Sequence, residues 1–276
     1  MIKDIVVNLG LGERASFAAD YAVSVAAAFN AHIAGIAFFY DPIVPLSGAG
    51  YIPADVIAVQ QRESTAASKA AIDRFTQAAT RAGVSVESLT LSTSVAGAGE
   101  QFGRIARRFD LGVVGQAEPE TAAVEEMIVE AALFDSGRPL IVVPYIQKAP
   151  LKLDRVMVCW DGSRAAARAI ADAMPFLERA GRVEIVIVAN ERGKEDEIEG
   201  ADIGQHLARH ALKVEVKRTI MGDIEVADVL LSHAADAGTD FIVMGGYGHS
   251  RLREFVLGGA TRSILRSMTA PVLMSH

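Results

Sequence analysis

The chain has 276 residues, 51% of them hydrophobic and 22% charged, with nine prolines, which excludes a disordered or low-complexity chain and leaves room for one large domain or two of ordinary size. A formal net charge of -7 argues against a broad nucleic-acid surface or an anionic-membrane surface. The single cysteine, Cys159, excludes an internal disulfide and any multi-cysteine metal site, and its setting in "RVMVCW" reads as an inert core thiol.

In chain order, "MIKDIVVNLGLGERAS" carries a Lys and an Asp early and no long apolar core, so it reads as a first strand rather than a signal peptide. No apolar run approaches the roughly 20 residues needed to span a bilayer, and a cytoplasmic location is expected. "SFAADYAVSVAAAFN" follows with helical spacing, and "AHIAGIAFFY" with the β-branched and aromatic content of a strand. A long helical pattern, "ADVIAVQQRESTAASKAAIDRFTQAATRAG", leads into the strand "VSVESLTLS". "GEQFGRIARRF" reads as a helix, "DLGVVG" as a strand, residues 123–134 as a helix, and "RPLIVVPY" as a closing strand. Strands separated by helices of these lengths imply parallel β-α-β units with right-handed crossovers.

The same order then runs a second time. "DRVMVCWDG" repeats "DIVVNLG", "ARAIADAMPFLERAGRVEIVIVAN" repeats the first helix and second strand, and "TAPVLMSH" repeats "GRPLIVVPY". The second copy is shorter after its second strand, where the charged "ERGKEDEIEG" reads as a solvated loop or helix start. Two related domains are expected, 1–147 and 148–276, joined near "IQKAPLKL" (Ile146 to Leu153). The expected fold class is α/β: two repeated doubly wound domains, each a mostly parallel five-stranded sheet flanked by helices.

Ligands of such sheets bind beyond the carboxyl ends of strands, near the point where strand order reverses. Three features of the second copy fall at such ends: Asp161-Gly162-Ser163, Ala189-Asn190, and Gly245-Gly246-Tyr247-Gly248. Further on, Gly258-Gly259-Ala260-Thr261 opens a helix whose free N–H groups and positive dipole end suit a phosphate. From these residues alone, a phosphate cradle and a tight strand-to-helix connection both stand. No GxxxxGK[ST] is present, and "GAGEQFG" is mis-spaced for a dinucleotide fingerprint. His206 and His210 stand four apart without a third ligand and read as a solvated face, while no Ser-His-Asp or Cys-His order supports nucleophilic catalysis. His249, Arg251 and Arg253 between the glycines are candidate phosphate clamps or solvated loop residues.

The spacing Gly245-x2-Gly248-x9-Gly258, followed by Gly259, resembles the ATP-binding motif of the universal stress protein family, in which a Ser or Thr usually follows the last glycine. "DRVMVCWDGSRAAARAI" is similar to that family's opening strand with its Asp, "APVLMSH" to its closing strand, and the duplication to its tandem members. The resemblance implies an adenine nucleotide alpha hydrolase-like fold and ATP as ligand, with or without magnesium. It implies that Asp161 contacts the ribose and that backbone at Ala189 and Met244 faces the adenine. The phosphates would be surrounded by Gly245, Gly248, Gly258, Gly259, Ala260 and Thr261, with Tyr247 in the same loop. Gly259 departs from the pattern by removing a hydroxyl, which implies weaker affinity or altered phosphate geometry. Pairing of the two copies through their final strands is also implied, and further dimerisation is compatible with it.

The first copy reads "GVVGQAEPE" at the corresponding strand end, with Glu118 at the second glycine position, an acidic helix start after it, and Asn8 taken as the replacement for the Asp. It is expected not to bind ATP. Three functional readings follow: a nucleotide-responsive regulatory protein, a slow magnesium-dependent ATP hydrolase lacking an evident general base, and a nucleotide-independent interaction module whose glycines serve the fold.

Overall fold

The computed structural model describes residues 1–11, 16–40, 54–118, 122–189, 196–220, 224–246 and 259–276. Within them the N-terminal half runs β1 (Asp4–Asn8), α1 (Ser16–Phe29), β2 (His32–Tyr40), α2 (Ala54–Arg81), β3 (Val86–Thr93), α3 (Gly97–Ala106), β4 (Leu111–Gly115), α4 (Ala122–Asp135) and β5 (Leu140–Val143). The C-terminal half repeats the order: β6 (Arg155–Cys159), α5 (Arg164–Leu177), β7 (Arg182–Ala189), α6 (Asp196–Arg209), β8 (Val214–Ile220), α7 (Val226–Ala237), β9 (Phe241–Gly245), α8 (Ala260–Ser267) and β10 (Val272–Ser275).

All ten strands belong to one sheet, ordered β3-β2-β1-β4-β5-β10-β9-β6-β7-β8. Each half is parallel throughout, and the halves meet where β5 and β10 pair antiparallel, Leu140 opposite Met274 and Val142 opposite Val272. The two pairings are related by a local two-fold axis, because Leu140 and Val272 occupy matching places in their own halves. "LIVV" and "VLMS" are buried along their whole length, as strands covered on both faces must be. The outermost strands, β3 and β8, are largely exposed and carry Glu87, Ser88, Lys217 and Arg218.

Helices cover both faces. One core packs α1, α2, α5 and α6 against the sheet, through Tyr21, Phe75, Phe176 and Leu207. The other packs α3, α4, α7 and α8 through Phe102, Ile128, Leu230 and Ile264. The halves interlock on the first face as well as along the sheet. Phe176 meets Phe29 edge-on at 4.8 Å and stacks on Phe241 at 5.2 Å, and the Arg179 guanidinium lies 4.1 Å over the Phe29 ring. The connection between halves is anchored too: the Leu151 N–H donates to Ser24 Oγ at 2.8 Å, and Lys152 bridges Asp154 and Asp240.

Candidate nucleotide site

Strand order reverses between β6 and β9, and there the sheet splits. The β6–β9 ladder ends at Val158 opposite Val243, whereas the β9–β10 ladder continues through Met244 to Gly245. Met244 and Gly245 therefore extend past the last rung on the β6 side, where a crevice opens in a doubly wound sheet. Met244 is itself buried. Ala189 ends β7 opposite Ile220 and is half-buried.

Asp161 is exposed just beyond β6. Its Oδ1 accepts the Ser163 N–H at 3.0 Å, Gly162 between them takes φ +73°, and Ser163 caps α5 by accepting the Ala166 N–H at 3.1 Å. This Asx turn is reason enough for an Asp here, and it leaves the second carboxylate oxygen for a ligand. Burial, and after it the Asp161 carboxylate, pushes the neighbouring Cys159 thiol up to about 12, so it stays protonated and unreactive near neutral pH.

Gly245 has a packing reason of its own. A Cβ there would sit 2.5 Å from the Ala166 nitrogen and 2.7 Å from the Ala165 carbonyl carbon, so α5 approaches β9 as closely as it does only over a glycine. Gly259 is the N-cap of α8, with extended φ -65° and ψ 160° and no side-chain cap hydrogen bond. The first turn of α8 thus begins without the hydroxyl that Ser or Thr would turn onto it. Ala260 is exposed, whereas Thr261 is buried at 5% exposure and faces the protein. Tyr247, Gly248 and Gly258, like His249, Arg251 and Arg253, lie outside the described residues. The structure therefore brings Asp161, Ala189, Met244 and Gly245 to one end of the sheet, with Gly259 and Ala260 opening the helix that follows β9 in the chain.

Among the described residues, the equivalent crevice of the N-terminal half is lined by Asn8, Gly10, Gly115, Glu118, Glu125 and Tyr145 and encloses about 20 Å³, room for a water. Glu118 stands where the other half has Gly248, and its N–H donates to Glu125 Oε2 at 2.9 Å. A carboxylate from α4 thus sits on a backbone N–H that a phosphate would need. It also raises the Tyr40 phenol, already pushed up by burial, to about 12. Sheet register corrects one expectation: Asn8 pairs with Ile36 as Cys159 pairs with Val186, so the counterpart of Asp161 is Gly10, not Asn8. At that position the first half has no carboxylate.

Sequence reasoning passed over Gln116. It is 4% exposed, and its Nε2 reaches across to the other half, donating to the carbonyls of Leu265 at 2.9 Å and Arg266 at 3.1 Å. The available signal was a polar residue, Gln116, aligned with a glycine, Gly246, at matching strand ends. His233 and Glu184, joined at 2.7 Å beneath α7, were also missed, since residues 49 apart give no spacing signal. His206, on α6, and His210, just past its end, are exposed and meet edge to face at 5.1 Å, and no group of three metal-ligating side chains exists among the described residues. No helix among them is long and apolar enough to cross a membrane.

Comparison with known proteins agrees with this architecture. Residues 152–276 match the model of the universal stress protein family. The chain is 28% identical over 148 residues to the universal stress protein Slr1230 of Synechocystis, spanning 49% of that protein and 52% of its own length. It is 26% identical over 144 residues to the universal stress protein YxiE of Bacillus subtilis, spanning 97% of that protein and 44% of its own length. Of the two curated relatives, the chain thus spans about half the length of the first. Among solved structures, a universal stress protein from Archaeoglobus fulgidus shares the fold with a TM-score of 0.75 at 15% identity, covering 99% of this chain and 95% of that one. The likeness to the universal stress protein family is thus carried by residues 152–276.

Proposed function

We propose that residues 148–276 form an ATP-binding domain, that residues 1–147 form a related domain with a degenerate site, and that the chain is a cytoplasmic, nucleotide-responsive regulatory protein of the stress response. The observation that carries this reading is the split between β6 and β9, which sets Asp161 and the unpaired side of Met244 and Gly245 at one opening, with the glycine-capped start of α8 next in the chain. Asp161 would hold the ribose through its free oxygen, and backbone at Ala189 and Met244 would meet the adenine. N–H groups at Gly245, Gly248, Gly258, Gly259, Ala260 and Thr261 would hold the phosphates, with Tyr247 beside them. Magnesium, if it accompanies ATP, would find its oxygen ligands chiefly on the phosphates. A homodimer stays within this reading, but β5 and β10 already pair with each other, so a second copy would use another surface.

Calorimetric titration of the full chain with ATP, with and without magnesium, tests the proposal. One ATP should bind per chain, and Gly248→Glu, which copies Glu118 of the first half, should abolish binding. Saturation to about 100 times Kd should stabilise the fold by roughly 2.7 kcal/mol. Unchanged affinity in Gly248→Glu would defeat the assignment, as would a wild-type protein that neither binds ATP nor shifts its melting temperature. A nucleotide-independent interaction module is the second reading, and it has one observation in its favour: Gly245 is already required by the approach of α5.

A further inference from the structure

We propose that Gln116 of the N-terminal half is a positioning residue for the phosphate-binding end of α8, so that nucleotide affinity in one half is set partly by the other. The proposal rests on the ATP reading above.

Helix α8 has only eight residues, about 12 Å, and its two ends have separate tasks. Its N-terminal end presents Gly259 and Ala260, uncapped by any side chain of the cap residue. At its C-terminal end the last carbonyls lack partners within the helix. Met268 returns one hydrogen bond, to the Ile264 carbonyl at 2.8 Å, and the carbonyls of Leu265 and Arg266 are taken by Gln116 Nε2. That amide is held at both ends. Its Oε1 accepts the Tyr145 N–H at 3.3 Å, and its own backbone N–H donates to the Val143 carbonyl at 2.8 Å. The assignment of oxygen and nitrogen is forced, because an N–H must meet the oxygen and two carbonyls must meet the NH2 group.

A donor at the negative end of a helix satisfies orphan carbonyls and complements the dipole. Here the donor belongs to β4's carboxyl end, so a short helix is seated on the opposite half of the molecule by the end remote from its proposed ligand. Displacement at that seat tilts the whole of α8, since a two-turn helix has no interior bend to absorb it. Gly246, the counterpart of Gln116, has no side chain to offer α4, where a Cβ would meet Leu133 Cδ2 at 2.6 Å. The half proposed to have a degenerate site therefore supplies the anchor, and the half with the proposed ATP site receives it.

The test compares ATP with adenosine on the full-length chain. Of the residues proposed for the nucleoside, Asp161 stands just beyond β6, Ala189 on β7 and Met244 on β9, while the proposed phosphate contacts include α8. Gln116→Glu keeps the shape, removes the donor and sets a carboxylate against two carbonyls. Affinity for ATP is read by calorimetry, and affinity for adenosine by its displacement of ATP. ATP should bind at least about fivefold more weakly, with adenosine within about twofold of wild type. Should that variant fail to fold, Gln116→Met, which lacks both donor and charge, is expected to shift the ratio in the same direction. Equal weakening of both ligands, or no change in either, would overturn the proposal while leaving the ATP reading intact. A wild-type chain that binds neither ligand would overturn both.

Discussion

Gly245 shows how one residue can satisfy two explanations at once. It belongs to the glycine spacing that suggests a phosphate cradle, yet the main chain of α5 lies where its Cβ would be. Because the obstructing atoms are backbone and not a movable side-chain tip, Gly245→Ala should destabilise the nucleotide-free protein by about 1–3 kcal/mol, the usual range for overpacking. Urea unfolding without nucleotide measures this directly. A change below about 0.5 kcal/mol would mean that the glycine serves the ligand rather than the packing. Residue-level reading of the sequence was weakest where it had to count along a strand. Asn8 was matched to Asp161 because both are polar and close a first strand, but hydrogen-bonded register puts Gly10 there. Two residues of slip in a loop cannot be seen in composition, whereas pairing partners fix it.

The helices were the most legible elements, and their ends the least. Residues 123–134 were expected helical, and α4 spans Ala122–Asp135. Helix termination is subtler. After α2 the chain turns at Gly83 with φ +69°, while at the matching place after α6 stands Ala211 with φ +59°. An exposed alanine in the left-handed region is strained, so Ala211→Gly should stabilise by about 0.5–1 kcal/mol once the extra chain entropy of glycine is deducted. Thermal unfolding checks it: a rise in melting temperature is expected, and a fall would show that Ala211 makes contacts worth more than the strain. Gln116, by contrast, acts between elements 149 residues apart, and no local pattern announces such a contact.

At the scale of the whole molecule, duplication was the clearest message of the sequence, and the doubled strand order is its result. What repetition alone did not specify is how thoroughly the halves are merged: a shared sheet, a shared aromatic stack on one face, and Gln116 on the other. Such a body should unfold as one. Trp160, the only tryptophan, lies in the C-terminal half and reports on it alone, whereas far-ultraviolet circular dichroism reports on both. Their denaturant transitions should coincide, and a tryptophan transition well separated from the dichroism midpoint would show that the halves melt independently. The antiparallel seam has a further consequence. Two identical chains meeting on the same axis would carry every substitution twice, so a glutamine reaching across on one side would be repeated on the other. Joined in a single polypeptide, the two sides are free to diverge: Gln116 can stand in one half where the other has Gly246, and only one side then needs to reach across.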